Sequence, residues 1–483
     1  MRKSALAVAP HSSAPVTRRD ASALDRLVRL VKSSKDTPFV PGDFERFEQE
    51  LTARLREVGR EALKAELQKA DVDADAVLID GIAHRRVLRG TETYMTTLGP
   101  VTVERTLYKD RTDPDEKAVA ALEARLGVVG GFWMPSAAKQ ATWVVSQMTP
   151  GVSEELFARV GSMQPSKSSL DRLPKEIGGR WEEDRKALEA ELRAVTEIPE
   201  ETKSIAVSID GVLAPMKDGG APEKRARAAA KGKMTRGPAG YREVGCATIS
   251  FCDADGEMIS AIRMARMPEA NKRTLKASIL AELGALLAQR PDLPVVKIAD
   301  AAHDNWSFLG KEIPGGAEII DFFHAAEHLG QALAAAYGDG TRDARWRFQE
   351  LRDVLLEDCG GVDQVIRSLA YLRSKHPRKK RIAEVLGYFR KHRQRMRYFE
   401  HKEFGLPIGS GPVEAACKTL VTQRMKQSGM RWGMAGGQSV LTVRGWTQSE
   451  RFDRAWALLA ATYQVQVTVL DNVIAFPNRR IPT

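Results

Sequence analysis

The order of strands between residues 203 and 323 constrains the fold of this chain most. Apolar runs at KSIAVSID (203–210), GCATISFC (245–252) and EMISAIRMAR (257–266) predict three consecutive strands. A helix over 271–289, a strand at PVVKIAD (294–300), a second helix and a strand at AEIIDFF (317–323) follow. A doubly wound sheet alternates strands and helices throughout, so this order excludes that fold. It matches a ribonuclease-H-like α/β core, in which the first three strands form an antiparallel meander.

Two of these predicted strands end in an acid, Asp210 and Asp300. If the two strands are parallel neighbours, both carboxylates lie within bridging distance of a metal ion. Carboxylates so close repel each other, and a divalent cation removes that repulsion. Hard oxygen ligands select Mg²⁺, or Mn²⁺ as a substitute, over zinc. The alternative is that each aspartate simply begins a turn, as Asp210-Gly211 commonly does.

Glu414 is the candidate third acid. It lies in PIGSGPVEAACKTLVTQRMKQSGMRWG (407–433), where two glycines permit a turn and Pro412 suits the first helical position. An apolar stripe follows, so Glu414 is expected in the first turn of a helix that packs on the sheet. The alternative is that Glu414 interacts with the helix dipole and with Lys418 four residues on.

The sequence before residue 200 predicts a mainly helical region with one β-hairpin. An amphipathic helix is predicted at 42–70, and two alternating runs at 84–109 around Leu98-Gly99-Pro100 predict the hairpin. Residues 151–181 predict two helices joined by a turn. This pair is either a helix-turn-helix, with Lys167 and Arg172 placed to contact DNA, or an ordinary helical hairpin.

The charge balance favours a polyanionic partner. Lys and Arg number 74 against 63 Asp and Glu, a net charge of +11. A helical block is predicted from 324, and nine Lys or Arg residues fall between Arg378 and Arg397 with aromatic residues among them. We interpret this segment as a contact to the phosphate backbone rather than an ordinary solvated helix face. The residues predicted to bind DNA there are Arg378, Lys379, Lys380, Arg381 and Arg390.

Four segments together resemble insertion-sequence transposases of the ISKra group and, more distantly, Mutator-like transposases. The segments are VSIDG (207–211), IADAAHDNW (298–306), DFFHAAEHL (321–329) and GSGPVEAACKTLVTQRMKQSGMRW (409–432). The resemblance covers roughly residues 200–450. It implies a DDE catalytic core with a helical insertion, in which Asp210, Asp300 and Glu414 bind the metal.

The same resemblance assigns further residues around these acids. Asp321 and His324 fit a Mutator-like pattern, with Asp321 supporting the site and His324 positioning the phosphate or a proton. Ala301 departs from the glycine common at that position, which leaves Asp304 as a less favoured substitute for Asp300. After the Glu414 helix, Arg424, Arg431 and Trp432 are expected to contact or stack on the flanking strand.

The implied activity is Mg²⁺-dependent cleavage of DNA at transposon ends and strand transfer into target DNA. The implied partners are double-stranded DNA and further copies of the chain, at least a homodimer. A prokaryotic cytoplasm with association to the nucleoid is expected, because no apolar run reaches the length of a membrane span. The alternative is a DNA-binding protein with the same fold that has lost catalysis.

A second alternative comes from His324, Glu327 and His328, which match the H-x-x-E-H pattern of zinc peptidases. The five strands that precede this motif are wrong for such a peptidase. The four cysteines form no C-x-x-C pair, so they predict neither a zinc site nor a disulfide framework.

The predicted organisation has seven segments. They are a flexible tail (1–40), a helix and hairpin region (41–112), a helical region (113–200), the first part of the core (201–323), the helical insertion (324–406), the Glu-bearing part of the core (407–450) and a C-terminal helix and tail (451–483).

Overall fold

A computed structural model describes residues 22–38, 40–110, 112, 117–161, 163–217, 221–233 and 240–470. The chain is a mixed α/β protein with two five-stranded sheets. It divides into two compact units. The first contains the described residues up to Arg125 with 163–164 and 466–470, and the second contains Leu126–Gly161 and Pro165–Val465. Within these ranges, no helix is both long and apolar enough to cross a membrane.

The first unit contains the predicted hairpin. Its elements are α1 (Ala23–Asp36), α2 (Phe44–Ala70), β1 (Ala76–Ile79), β2 (Ile82–Thr96), β3 (Gly99–Asp110), β4 (Val119–Ala120) and α3 (Ala121–Leu126). All neighbouring strands are antiparallel, and β2 pairs with β3 from Thr96 opposite Gly99. Gly99 has φ 106°, a conformation that glycine adopts without strain. The predicted helix at 42–70 and the hairpin are therefore confirmed.

Two parts of this unit differ from the prediction. Within the predicted tail, Ala23–Asp36 is helical, because Ser22 and Asp25 form a capping box at its start. Residues 1–21 lie outside the described residues. Near the other end of the chain, Val467–Val469 is a strand that pairs with β1, so the predicted C-terminal tail contributes to the N-terminal sheet.

The second unit begins with four helices: α4 (Pro135–Gln147), α5 (Pro150–Val160), α6 (Lys167–Glu183) and α7 (Arg185–Ala194). The connection between α5 and α6 covers 161–166, which is longer than the three- or four-residue turn of a helix-turn-helix. The pair therefore fits the alternative of an ordinary helical hairpin. Lys167 and Arg172 lie on the exposed face of α6.

The sheet of the second unit contains all five strands predicted between 203 and 323. The elements are β5 (Ser204–Pro215), α8 (Ala221–Ala229), β6 (Tyr241–Cys252), β7 (Met258–Arg266), α9 (Arg273–Gln289), β8 (Val295–Ala299), α10 (His303–Glu312) and β9 (Ala317–Ile320). The strand order is β7-β6-β5-β8-β9. The first three strands are antiparallel, whereas β8 is parallel to both β5 and β9.

The helical block packs against this sheet. It contains α11 (Phe322–Tyr337), α12 (Arg342–Glu357), α13 (Gly361–Lys375), α14 (Lys380–His392) and α15 (Tyr398–Glu403). Its buried residues, including Leu329, Leu351, Leu369 and Val385, share one apolar core with those of the sheet. The block is thus part of the same folded unit as the sheet rather than a separate domain.

The last elements return to the sheet. They are α16 (Gly411–Ala416), a π-helical stretch (Cys417–Thr422), α17 (Gln423–Met425), α18 (Met434–Gln448) and α19 (Phe452–Ala461). Val413, Cys417 and Leu420 pack with Ala214 of β5 and Cys246 of β6 in a second apolar cluster. The predicted apolar stripe after Pro412 therefore faces the sheet.

A buried ion pair between Glu282 of α9 and Arg451 gives the first prediction. Both Glu282 oxygens accept hydrogen bonds of 3.1 Å from Arg451, and both side chains are under a tenth exposed. Glu282→Ala leaves a buried guanidinium unpaired, so the free energy of unfolding should fall by about 3–5 kcal/mol. Chemical denaturation measures this. The control is Glu155→Ala in the exposed Glu155–Arg159 pair, which should cost about 1 kcal/mol or less. Equal losses in both variants would contradict the prediction.

Candidate functional site

Three aspartates occupy neighbouring positions at one edge of the second sheet. Ser208 of β5 is in register with Ile298 of β8, so two residues further on Asp210 comes beside Asp300. Ala299 of β8 is in register with Ile320 of β9, so the next residues are Asp300 and Asp321. Because neighbouring strands lie about 4.8 Å apart, the sheet itself brings the three backbones together.

The surroundings of Asp210 shift the pKa of its carboxyl group. Burial raises its pKa above the ordinary value, and the charge of Asp300 raises it further. A hydrogen bond from the Gly211 backbone and the charge of Lys272 oppose the rise. The parallel register of β5 and β8 explains the effect of Asp300, because it brings the two carboxyl groups close together.

Cys417 connects Asp210 to the helix that contains Glu414. Its Sγ lies 3.7 Å from Asp210 Oδ2. A hydrogen bond with Cys246 and burial both raise the pKa of the Cys417 thiol, so it remains neutral and donates to the carboxylate. Glu414 and Cys417 are three residues apart in one helical segment and therefore share a face. Glu414 consequently lies about one helical turn from the residue that contacts Asp210.

Glu414 itself is exposed, and Ser410 Oγ donates a 3.1 Å hydrogen bond to its Oε1. Asp321 fixes the loop that precedes this helix. It is fully buried, and its two oxygens accept hydrogen bonds from the backbone N–H groups of His324 and Ser410. Asp321 is thus the N-cap of α11 and a link to the Glu414 helix.

Asp300 is oriented by the first turn of α10. Its Oδ1 accepts hydrogen bonds of 3.1 Å from the Ala302 backbone and from Asn305 Nδ2. Trp306 Nε1 donates to the Asp300 carbonyl. Asp304 is exposed on the same turn, whereas the strand register places Asp300 in the row of acids. The structure therefore places Asp300, and not Asp304, beside Asp210.

The donor chemistry of this row suits a hard cation, because carboxylate oxygens are the ligands that Mg²⁺ prefers. The described part of the chain nevertheless contains no group of three His, Cys, Asp or Glu side chains already arranged to hold a metal. Asp210 and Asp300 lie side by side in the register of β5 and β8, and Glu414 lies on α16 about one turn before Cys417, which contacts Asp210.

The two histidines of the H-x-x-E-H motif contact other side chains of the protein. His328 Nδ1 lies 3.3 Å from the Arg381 guanidinium, and its ring packs 4.3 Å from that of Tyr388. His324 Nδ1 lies 3.9 Å from Glu327 Oε2 on the same helix. Among the described residues, His324, Glu327 and His328 do not form a group of three side chains that could hold a metal ion. Packing therefore explains His328 without zinc.

Several residues predicted to bind DNA have different surroundings. Arg424 is buried, with its guanidinium 5.2 Å from the Trp432 ring centre, so it does not lie on the surface in this structure. Trp432 donates its Nε1 hydrogen to the Met425 carbonyl, and its backbone pairs beside β5, so its ring is part of the fold. Arg431 is exposed.

The basic side chains predicted to bind DNA around α14 are only partly exposed. Arg378, Lys379, Lys380 and Arg390 are exposed, as the prediction requires. Arg381 instead donates to Glu384 and to Gln331 and approaches His328, which gives it a role in helix packing.

Sequence reasoning missed Lys272. Its Nζ donates to the Asp210 carbonyl at 3.4 Å and lies 2.8 Å from Glu243 Oε1. Lys272 and the preceding Asn271 both have left-handed backbones, with φ of 52° and 56°. Such strain is uncommon outside glycine and persists where the surroundings enforce it. Asparagine tolerates this conformation, but Asn271 alone is too weak a signal to locate it.

Tyr388 was also missed as part of the site. Its hydroxyl is buried without a hydrogen-bond partner among the described residues. Burial raises the pKa of this hydroxyl, and the charges of Asp300 and Asp321 raise it further. The aromatic residues of α14 were interpreted as a surface for DNA, whereas Tyr388 faces the acids.

Comparisons with known proteins identify no family for this chain. No family model matches it, and no curated protein does. Among solved structures, it is similar to the Drosophila P element transposase strand transfer complex. The match has 12% identity and a TM-score of 0.24 and covers 69% of this chain and 82% of that chain. At this TM-score the likeness supports no functional assignment.

The raised pKa of Asp210 predicts an inverted pH dependence of stability. The folded state binds a proton more tightly than the unfolded state, whose carboxyl titrates near 3.8, so ionising Asp210 destabilises the fold. Below about pH 3.8 the carboxyl group is protonated in both the folded and the unfolded state and costs no stability. The free energy of unfolding then falls as the pH rises from about 3.8 through the raised pKa of the folded state. Asp210→Asn should therefore melt higher than the wild-type protein at neutral pH in EDTA, with a difference that shrinks toward acid. A pH-independent difference in melting temperature would contradict this.

Proposed function

We propose that the chain is a DDE-type transposase that cleaves DNA at transposon ends and transfers the strand into target DNA. The observation that carries this proposal is the parallel register of β5 and β8, which sets Asp210, within β5, beside Asp300, which follows β8. The strand order β7-β6-β5-β8-β9, with an antiparallel meander first, supports a ribonuclease-H-like core. The helical block between β9 and α16 supports the expected insertion.

In this proposal, Asp210 and Asp300 hold Mg²⁺, with Mn²⁺ as a substitute, and Glu414 supplies a third ligand from α16. Mg²⁺ bound by such acids supplies an activated water and neutralises charge on the phosphate. Glu414 is exposed and has only Ser410 as a side-chain partner, so a small rotation would free it. His324, in the first turn of α11 beside Asp321, is available to position the scissile phosphate.

Exposed cations around the second unit supply a path for DNA. Arg378, Lys379, Lys380 and Arg390 lie on and before α14, and Arg431 follows the Glu414 helix. Lys167 and Arg172 add two more on α6. Together with the net charge of +11, they favour phosphate contacts and a steep dependence of DNA affinity on salt. Strand transfer joins two DNA ends, so a dimer or a larger assembly on DNA is part of the proposal.

The direct test is cleavage of a supercoiled plasmid that carries the genomic flanks of the coding region. Nicking or excision is expected in Mg²⁺ and not in EDTA. Asp210→Ala should lower the rate at least about a hundredfold, because metal stabilisation contributes several kcal/mol. The matched control is Asp304→Ala, which removes an exposed acid one turn beyond Asp300 and should cleave normally. Wild-type rates for Asp210→Ala or Glu414→Ala would refute the assigned acids.

A pair of neighbouring variants tests Lys272. Lys272→Gly and Asn271→Gly both relieve a left-handed backbone, which costs roughly 1–3 kcal/mol in a non-glycine residue. Only Lys272→Gly also removes the cation beside Asp210. We expect Asn271→Gly to be more stable and fully active, and Lys272→Gly to lose roughly tenfold or more in cleavage rate. Equal activities in the two variants would show that Lys272 serves the fold alone.

A further inference from the structure

A cavity of about 440 Å³ lies along β5, and its nearest lining residue to Asp210 in that strand is Ser208. Ala206 and Ser208 of β5 line it, together with Ser250 and Cys252 of β6. Side chains two residues apart in a strand share a face, so Ser208 and Asp210 lie on the same side of the sheet. Their separation along β5 is roughly 7 Å. The cavity also reaches Gly411 and Pro412 at the start of the Glu414 helix.

The aromatic wall of this cavity is Phe323. It follows Asp321 by two residues, and 62% of it is exposed. Its ring lies against Gly409, where an added Cβ would come within 3.3 Å. On the opposite side, Gly256 of the β6–β7 turn lies so close to Leu406 and Pro407 that a Cβ there would come within 2.9 Å of the backbone. The cavity therefore has an apolar aromatic wall, and its backbone is tightly packed at Gly256.

The rim carries both signs of charge. Arg352 and Lys402 contribute cations, and Asp255 and Glu257 contribute carboxylates. Lys402 has no ion-pair partner within the described ranges, whereas Arg352 lies 3.4 Å from Asp353. The two carboxylates offset the two cations, so the rim offers a phosphate group no net positive charge. A neutral heteroaromatic ring with both donors and acceptors along its edge suits this rim better.

We propose that this cavity receives one unpaired nucleobase of the DNA strand, stacked on Phe323, while the adjoining phosphate lies at the acids. The volume, toward the lower end of the range of small-molecule pockets, fits one base rather than a duplex. Proteins that bind single-stranded DNA commonly hold it by stacking its bases on aromatic side chains. This inference rests on the proposed function, because it takes DNA as the substrate.

The test measures binding of a labelled DNA hairpin with a short single-stranded flank, in EDTA, so that no cleavage occurs. Phe323→Ala should weaken binding by about fivefold to a hundredfold, because each stacked base contributes that much. Phe323→Trp should restore the affinity. The matched control is Phe404→Ala, since Phe404 is 80% exposed and does not line the cavity.

Flanks that lack one base at a time identify the stacked position. At the stacked position, removal of the base should weaken DNA binding by the wild-type protein. The same removal should not weaken binding by Phe323→Ala, because the ring that stacks on this base is already absent. The proposal is overturned if Phe323→Ala binds like wild type, if Phe404→Ala weakens binding equally, or if a free mononucleotide competes as well as the flank. Base-dependent binding without Mg²⁺-dependent cleavage would refute the proposed function but not this site. Normal Mg²⁺-dependent cleavage together with wild-type binding by Phe323→Ala would refute this site but not the proposed function.

Discussion

The parallel pairing of β5 with β8 is the contact on which the arrangement of acids depends. A shift of β8 by one residue would turn Asp300 to the opposite face of the sheet. Lys297, in the middle of β8, opposes such a shift. It is buried, and its Nζ reaches both the Ile313 carbonyl and Glu318 of β9, each at 3.2 Å. Glu318 in turn pairs with Arg395 at 2.7 Å. This charge network, buried at Lys297 and half-buried at Glu318 and Arg395, links the two strands that deliver Asp300 and Asp321.

The surroundings of Asp210 and Asp300 lower the stability of the folded chain. Burial and the charge of Asp300 raise the pKa of Asp210, so its ionised form is a cost to the folded chain. The neighbouring thiols of Cys246 and Cys417 fill space without adding another charge. Lys272 offsets part of the cost, but its backbone is itself strained. Several unfavourable features at one sheet edge are typical of a site where binding of a ligand supplies the missing stabilisation.

The sequence predicts those parts of the fold that local pattern determines. Apolar periodicity locates all five strands of the second sheet, and Gly99 marks the turn of the hairpin. Long-range packing decides the rest, and single-residue chemistry does not reveal it. Arg424 resembles a surface cation in sequence, yet helix packing encloses it against Trp432. The position of Asp300 could be predicted because it follows a strand end, which is a local feature. The prediction that Asp210 also ends its strand is wrong, since pairing with β6 continues β5 to Pro215, and the approach of Lys272 and Tyr388 depends on distant elements.

An arginine outside the row of acids contacts the helical segment that carries Glu414. The helix that begins at Gly411 widens into a π-helical stretch at Cys417–Thr422, a feature common at functional sites. Such a stretch shifts its carbonyl groups out of the regular α-helical ladder. The buried Arg444 of α18 donates to the carbonyls of Thr419 and Leu420 and, on its other side, to that of Ser146 in α4. Arg444 thus links the turn that follows Cys417, the residue in contact with Asp210, to α4 and α18. These contacts join residues far apart in sequence, which is why local pattern alone could not predict how the helix that carries Glu414 packs.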